Sequence, residues 1–479
     1  MNRKNFIINS SLLTGGLIFN PVSGFNFTLP LLNEKFIIKR PPIAKRTFNS
    51  LAVEETIAKT KAKIRNEELA WMFENCFPNT LDTTIDFDII DGKPDTFVIT
   101  GDIDAMWLRD STAQVWPYMP LINKDKALKD LIEGLINRQV KCVLTDPYAN
   151  AFYKDLNKIS DWISDQPSPK PGIHERKWEI DSLCYVIRLS HQYFRLTSDS
   201  SVFDSQWDAA MKLIVHTFIT EQRKNGTSPY RFSRKTDVMI DAPVFNGTGQ
   251  PVKPTGLICS MFRPSDDATT FPYLVPSNIF ALISLNQLSD IYSNVMNNDE
   301  FAKECKNLAT EIEDALKKYA IAEHLTFGEI YAYEVDGFGN KIFMDDANVP
   351  SLMSLPYLGA HKTTDKIYIN TRKFLLSDKN PYFLKGKSAE GQASPHTGKE
   401  KIWPMGIILR AMTSTNKAEI IQCLSLLMNT HAGTGFMHEA FHKDDPSDFN
   451  RSWFAWANTL FGELIIKIAD EHPDILLNI

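Results

Sequence analysis

Apolar side chains recur every three or four positions through much of the chain, and that spacing predicts helices. Val53, Ile57 and Ile64 share one face behind Ser50, whose hydroxyl is placed to cap a helix with Glu54 and Glu55 in its first turn. Leu128, Leu131, Ile132 and Leu135 repeat the pattern, as do Phe301, Cys305, Leu308 and Ile312. Two stretches, WEIDSLCYVIRLSHQYF and SNIFALISLNQLSDIY, are instead apolar on most of their circumference. Such helices are buried on several sides, which predicts the inner layer of a two-layer helical assembly. Strand patterns are few. DTFVIT is one, and GEIYAYEVDGFGNKIFM is the other, where Asp336-Gly337 to Gly339-Asn340 predicts a hairpin. Beyond the polar linker at Arg40-Pro41-Pro42 no repeat or low-complexity tract divides the sequence. One large, mostly helical domain is expected.

Composition narrows the function classes more than the fold. The 479 residues are 43% hydrophobic and 23% charged, the balance of an ordinary globular protein. A formal net charge of −6 argues against nucleic acid as the partner, because phosphate binding needs a basic surface. Cys76, Cys142, Cys184, Cys259, Cys305 and Cys423 form no CxxC pair and no metal-ligand spacing, and they read as buried free thiols. The start of the chain has a basic end (Arg3, Lys4), an apolar middle from Leu12 to Phe19 and small residues at Val22-Ser23-Gly24. That layout predicts an export signal over residues 1–24, a linker over 25–48 and a body over 49–479, hence a periplasmic or extracellular protein. Arg3-Lys4 resembles a degenerate twin-arginine signal, and an uncleaved tail is the plainer alternative. No later segment reaches ~18 uninterrupted apolar residues, so no membrane span is expected.

The residues that carry chemistry lie between the helical patterns, where a rigid scaffold displays a site. They fall in GDIDAMWLRDS, GIHERKWEID, FRPSDDATTFPY, SPHTGKEKIWPMG and GFMHEAFHKDDP with the following NRSWFAWAN. Each mixes carboxylates, arginine or histidine with an aromatic ring. Sugars present hydroxyl rims and apolar C–H faces, so this mixture suits a carbohydrate: carboxylates accept, arginine donates and rings stack. Any one of these segments alone reads as a solvated loop. HEAFH, His438 to His442, also satisfies the H-E-x-x-H pattern of zinc peptidases, which requires two histidines one helical turn apart. Gly433 and Gly435 before it and Pro446 after it leave little room for such a helix.

The blocks GDIDAMWLRDSTAQVWPY, RPSDDA, SPHTG with IWPMG, and MHEAFH with DDP and RSWFAWAN resemble, in order, the signature blocks of glycoside hydrolase family 125. The resemblance implies an all-α (α/α)6 barrel with minor β-hairpin elements in the connecting loops. It also implies an inverting exo-α-1,6-mannosidase acting on a mannose-containing glycan, with no metal and no cofactor. Inversion needs one protonated carboxyl beside the leaving oxygen and one carboxylate holding a water on the other sugar face. By resemblance the acid is Asp266 or Asp267 and the base is Glu439. Repulsion between the adjacent aspartates is expected to raise one pKa while Arg263 keeps the other ionised; a solvated turn after Pro264 is the plain alternative. Arg109 and Asp110, then Asp102 and Asp104, are expected on the sugar hydroxyls. Trp107 is either a stacking platform or core. His396 and Trp403 are expected as pocket walls, His438 and His442 as hydrogen-bonding groups, and Glu175 and Arg176 as weaker candidates. The alternatives are another inverting α-glycosidase on the same barrel, such as an α-glucosidase, a silent glycan-binding protein, and a zinc peptidase using His438 and His442.

Overall fold

The helix expected behind Ser50 forms as Leu51–Lys61, with the Ser50 hydroxyl accepting from the Val53 N–H at 3.3 Å. It stops before Ile64, which is buried just past its end. The computed structural model describes residues 36–226 and 228–479, so the expected export signal and the first part of the linker, 25–35, lie outside the described residues. Residues 38–479 form one compact unit.

The two stretches without a polar face become Ile180–Thr197 and Val275–Asn294, which pack on each other. Both belong to an inner layer. Leu108–Val115, with every residue buried, packs on Ile180–Thr197 and on Ala455–Glu471, and Ala455–Glu471 packs on Pro404–Met412. In chain order a turn segment, 351–359, stands between Val275–Asn294 and Pro404–Met412; Arg188 binds it by donating to the Leu358 carbonyl, and Tyr185 donates to the Val349 carbonyl just ahead of it. Outside this layer lie the helices with one apolar stripe. Asp299–Tyr319 covers Val275–Asn294, burying Phe301, Cys305, Leu308 and Ile312, and Lys417–Thr430 covers Pro404–Met412. Lys126–Thr145 buries Leu128, Leu131, Ile132 and Leu135 as its periodicity predicts. The two helical layers make an all-α (α/α)6 barrel.

Strands are confined to the connections. Lys93–Val98 contains most of DTFVIT and pairs antiparallel with Ile85–Ile90. Glu334–Val335 and Lys341–Ile342 pair across the expected Asp336–Asn340 turn. Two small three-stranded sheets brace the loops at the helix starts: Met106–Trp107 with Ala151–Phe152 and Ile173–Glu175, and Lys401–Ile402 with Ala440–His442 and Phe449–Asn450. All six cysteines are free and buried, acting as small core residues.

Candidate active site

The polar segments singled out by composition lie just ahead of the inner helices. Trp107 caps Leu108–Val115, Glu179 caps Ile180–Thr197, Trp403 caps Pro404–Met412 and Phe454 caps Ala455–Glu471. The barrel therefore gathers stretches as far apart as Thr100 and Trp456 at one end. Gly101 shows how tightly two of them meet. Its φ of +131° is open to glycine, and a Cβ there would stand 2.3 Å from the Trp453 carbonyl oxygen. The Asp102 N–H donates to that same carbonyl.

These segments enclose a cavity of about 180 Å3. Trp107, Arg109 and Asp110 line it together with Pro264, Ser265 and Asp266, and so do His396, Trp403, Glu439, Arg451, Phe454 and Trp456. Trp107 Nε1 and Asp110 Oδ1 are fully buried, yet neither has a hydrogen-bond partner among the described residues. Buried polar atoms without partners are rare in folded proteins, and here two of them border one cavity. Burial pushes the Asp110 carboxyl up to about 6 against the pull of Arg109.

Asp266 sits in the left-handed region, φ +67°, which aspartate tolerates better than most residues. The turn is pinned by its N–H donating to the Arg263 carbonyl at 2.9 Å and by Lys177 Nζ donating to its own carbonyl at 2.8 Å. Its carboxylate accepts from Arg109 Nη2 at 3.4 Å and Asn150 Nδ2 at 3.3 Å. Burial opposes its ionisation, but Arg109 and Lys177 outweigh burial and hold the carboxyl well below the usual range. Asp267 turns away from the cavity onto the His396 ring, Oδ1 to Nδ1 at 2.9 Å. Burial raises the Asp267 carboxyl against the pull of His396. His396 loses affinity for a proton through burial and regains more from Asp267, ending at about 9.

Glu439 borders the cavity just before the strand Ala440–His442, with Arg451 Nη1 3.4 Å from Oε1. Arg451 also binds Asp102 at 2.6 Å and donates to Thr100 Oγ1 at 3.1 Å, while its guanidinium lies 4.7 Å from the Phe454 ring centre. Trp403 donates through Nε1 to Thr397, which fixes its ring.

Several expectations need correction. Arg263 does not hold an aspartate ionised: it is buried and paired with Glu334 at 2.6 Å, and Arg109 and Lys177 take that part instead. Asp104 points away, 80% exposed and paired with Lys158. Asp102 reaches Arg451 and not the cavity lining. His438 is buried against Phe449, with ring centres 3.7 Å apart, and its Nε2 meets Thr434 Oγ1 at 3.2 Å, so it backs Glu439 without lining the cavity. HEAFH forms no helix, which removes the one-turn spacing a zinc peptidase needs. Glu175 is held by Arg234 and Arg176 by Asp146, both as framework. Arg451, Asn348, Phe454 and Trp456 line the cavity without having been singled out individually. All but Asn348 lie within the NRSWFAWAN block, and nothing in the sequence around Asn348 marks it.

The chain matches, over residues 66–466, the family model described as metal-independent α-mannosidase of glycoside hydrolase family 125. It is 41% identical over 456 residues to the Meiotically up-regulated gene 157 protein of Schizosaccharomyces pombe (strain 972 / ATCC 24843), covering 91% of this chain and 89% of that protein. A Streptococcus pneumoniae metal-independent α-mannosidase, solved as a non-productive complex with α-1,6-mannobiose, superposes with a TM-score of 0.84 at 41% identity, over 89% of this chain and all of that one. A bacterial glucoamylase complexed with acarbose shares the fold alone: TM-score 0.52, 13% identity, 87% of this chain and 59% of that one.

Proposed function

The chain belongs to glycoside hydrolase family 125, the metal-independent α-mannosidases, and from that premise we propose that it removes terminal non-reducing α-1,6-linked mannose with inversion of configuration. Asp266 is the general acid and Glu439 the general base. The observation that carries the assignment is that, of the two adjacent aspartates, only Asp266 borders the cavity that Glu439 also borders. The cavity of about 180 Å3 has room for one sugar ring, in keeping with removal of end residues. The linkage rests on the α-1,6-mannobiose bound by the streptococcal relative.

In this reading Arg109, Asp110 and Trp107 Nε1 take hydroxyls of the terminal mannose. Trp403, Phe454 and Trp456 supply the apolar wall for its C–H face. Glu439, oriented by Arg451, takes a proton from the water that attacks the anomeric carbon. Asp266 gives a proton to the departing oxygen. Asp267 does not touch the sugar and acts by holding His396.

Proton NMR of the first product decides the stereochemistry: β-mannose appearing before mutarotation is expected, and α-mannose overturns inversion. A panel of α-1,2-, α-1,3- and α-1,6-linked mannosides and α-glucosides decides the linkage, with the α-1,6-mannoside expected to turn over fastest. Glu439→Gln is expected to lower kcat by about 10²-fold or more with little change in sugar binding. Near-normal turnover by that variant removes Glu439 from the role of base.

A further inference from the structure

Arg109 is buried amid more negative charge than it can balance. Its guanidinium meets Glu179 at 2.5 Å, Asp181 at 3.2 Å, and Asp110 and Asp266 at 3.4 Å each. A second cation, Lys177, spends its ammonium on the Asp266 carbonyl, on Asp241 at 2.9 Å and on Glu175 at 3.5 Å. Glu179 itself is fully buried. Its Oε2 accepts from Arg109 and from the Ser182 hydroxyl at 2.8 Å. None of the described residues donates to its other oxygen, Oε1, although that atom has no access to solvent. The Glu179 and Asp266 carboxyl groups stand side by side on the one guanidinium, Glu179 at Nη1 and Asp266 at Nη2. Two carboxylates so placed do not both ionise in a buried site; one of them keeps a proton and donates it to the other.

We propose that Glu179 is the proton partner of Asp266: the two carboxyl groups share one proton, which Glu179 holds in the empty site and returns to Asp266 when a glycosidic oxygen arrives. The inference rests on the reading of Asp266 as the acid. The surroundings fix the direction. Asp266 faces Arg109, Asn150, Lys177 and, farther off, His396, all of which favour its ionised form, whereas burial drives Glu179 well above the usual carboxyl range. Asp110 and Asp181 add negative charge from the two flanking inner helices. On binding, the sugar oxygen arrives as an acceptor for Asp266, which in the empty site only accepts from Glu179. Glu179–OH gives its proton to the Asp266 carboxylate, and the Glu179 carboxylate so formed keeps its ion pair with Arg109 and its bond from Ser182. Asp266 then protonates the leaving oxygen as its bond to the anomeric carbon breaks. Glu439 gains the proton of the attacking water, so one proton leaves the pair and one is returned through solvent after product departs. Glu179 touches no substrate; it is a positioning residue for the proton.

The experiment compares Asp266→Asn and Glu179→Gln on two substrates across pH. α-1,6-Mannobiose needs a proton on its leaving oxygen; a dinitrophenyl α-mannoside does not. Glu179→Gln is expected to lower kcat/KM on mannobiose by about 10²-fold, to lower it far less on the dinitrophenyl mannoside, and to move the basic limb of the profile down by about one pH unit or more. Removing a negative neighbour lets Asp266 lose its proton at lower pH, so activity disappears earlier as pH rises. An equal loss on both substrates with an unmoved basic limb overturns the proton partnership and leaves Glu179 a structural ion-pair residue. If Asp266→Asn shows the leaving-group contrast and Glu179→Gln does not, only the partnership fails. If Asp266→Asn loses both substrates equally, the acid assignment itself fails. Should Glu179→Gln not fold, infrared titration of the empty enzyme gives the same decision. Other buried carboxyls, Asp110 among them, also stay protonated toward neutral pH, so the band is compared in an Asp110→Asn background: a band lost there on Asp266→Asn supports the pair, and a band that this change leaves in place overturns it.

Discussion

Asp266 and Asp267 are neighbours in sequence with opposite surroundings. One borders the cavity among cations; the other is folded back onto an imidazole. Their adjacency suggested mutual repulsion, but the left-handed turn at Asp266 sends the two side chains to different partners, and burial and those partners set each pKa. The His396–Asp267 pair makes a checkable case. His396 holds its proton to about 9, so its contribution to stability is fully present below the ordinary histidine value of about 6.5 and is lost as pH rises through about 9. Asp267→Asn is expected to return the ring to near its ordinary value, read by NMR titration of the His396 ring proton; an unmoved titration places the cause elsewhere. Asp104→Ala, by contrast, is expected to leave kcat/KM within about twofold, since its exposed pair with Lys158 contributes little. The residue types needed for sugar chemistry were legible in the sequence, as were the segments that hold them. Which member of each segment faces the cavity was not, because one-residue steps in an irregular loop turn side chains to different sides.

At the scale of elements, periodicity predicted the right helices for a physical reason. A helix covered on one side needs one apolar stripe, as in Asp299–Tyr319, while one enclosed on several sides is apolar on most of its circumference, as in Ile180–Thr197 and Val275–Asn294. HEAFH shows the limit of a local pattern: the same five residues that suit a zinc-binding helix become a bend and a strand paired with Lys401–Ile402. Loops at the inner-helix starts are held by backbone contacts between distant segments, Gly101 against Trp453 among them. Gly101→Ala must move that contact or leave its favoured φ. It is expected to cost about 2 kcal/mol or more in urea unfolding and to reduce kcat/KM more than tenfold, since Arg451 and Phe454 follow Trp453's backbone. Wild-type stability and rate in this variant would show that the two loops are not coupled.

For the whole molecule, the inner layer is both core and foundation of the site. Leu183, fully buried on Ile180–Thr197, lies one turn beyond Glu179 and two residues beyond Asp181. Leu183→Ala is expected to cost about 2–5 kcal/mol, measured as a lowered denaturant midpoint, with the active-site chemistry retained below the transition. We also propose export directed by residues 1–24; protein recovered outside the cytoplasm with its first residues removed is expected, and an intact cytosolic chain overturns it. The sequence by itself determined the helical class, the inner and outer helices, and the set of segments that bear the chemistry, because hydrophobic periodicity and local composition are properties of neighbouring residues. Only the tertiary structure decided that Asp266 and not Asp267 meets Glu439 at the cavity, that Arg263 belongs to Glu334, and that Glu179 stands beside Asp266. Those outcomes depend on groups as far apart as Arg109, Glu179 and Asp266 being buried around one point, where desolvation and charge are shared among residues no local window contains together.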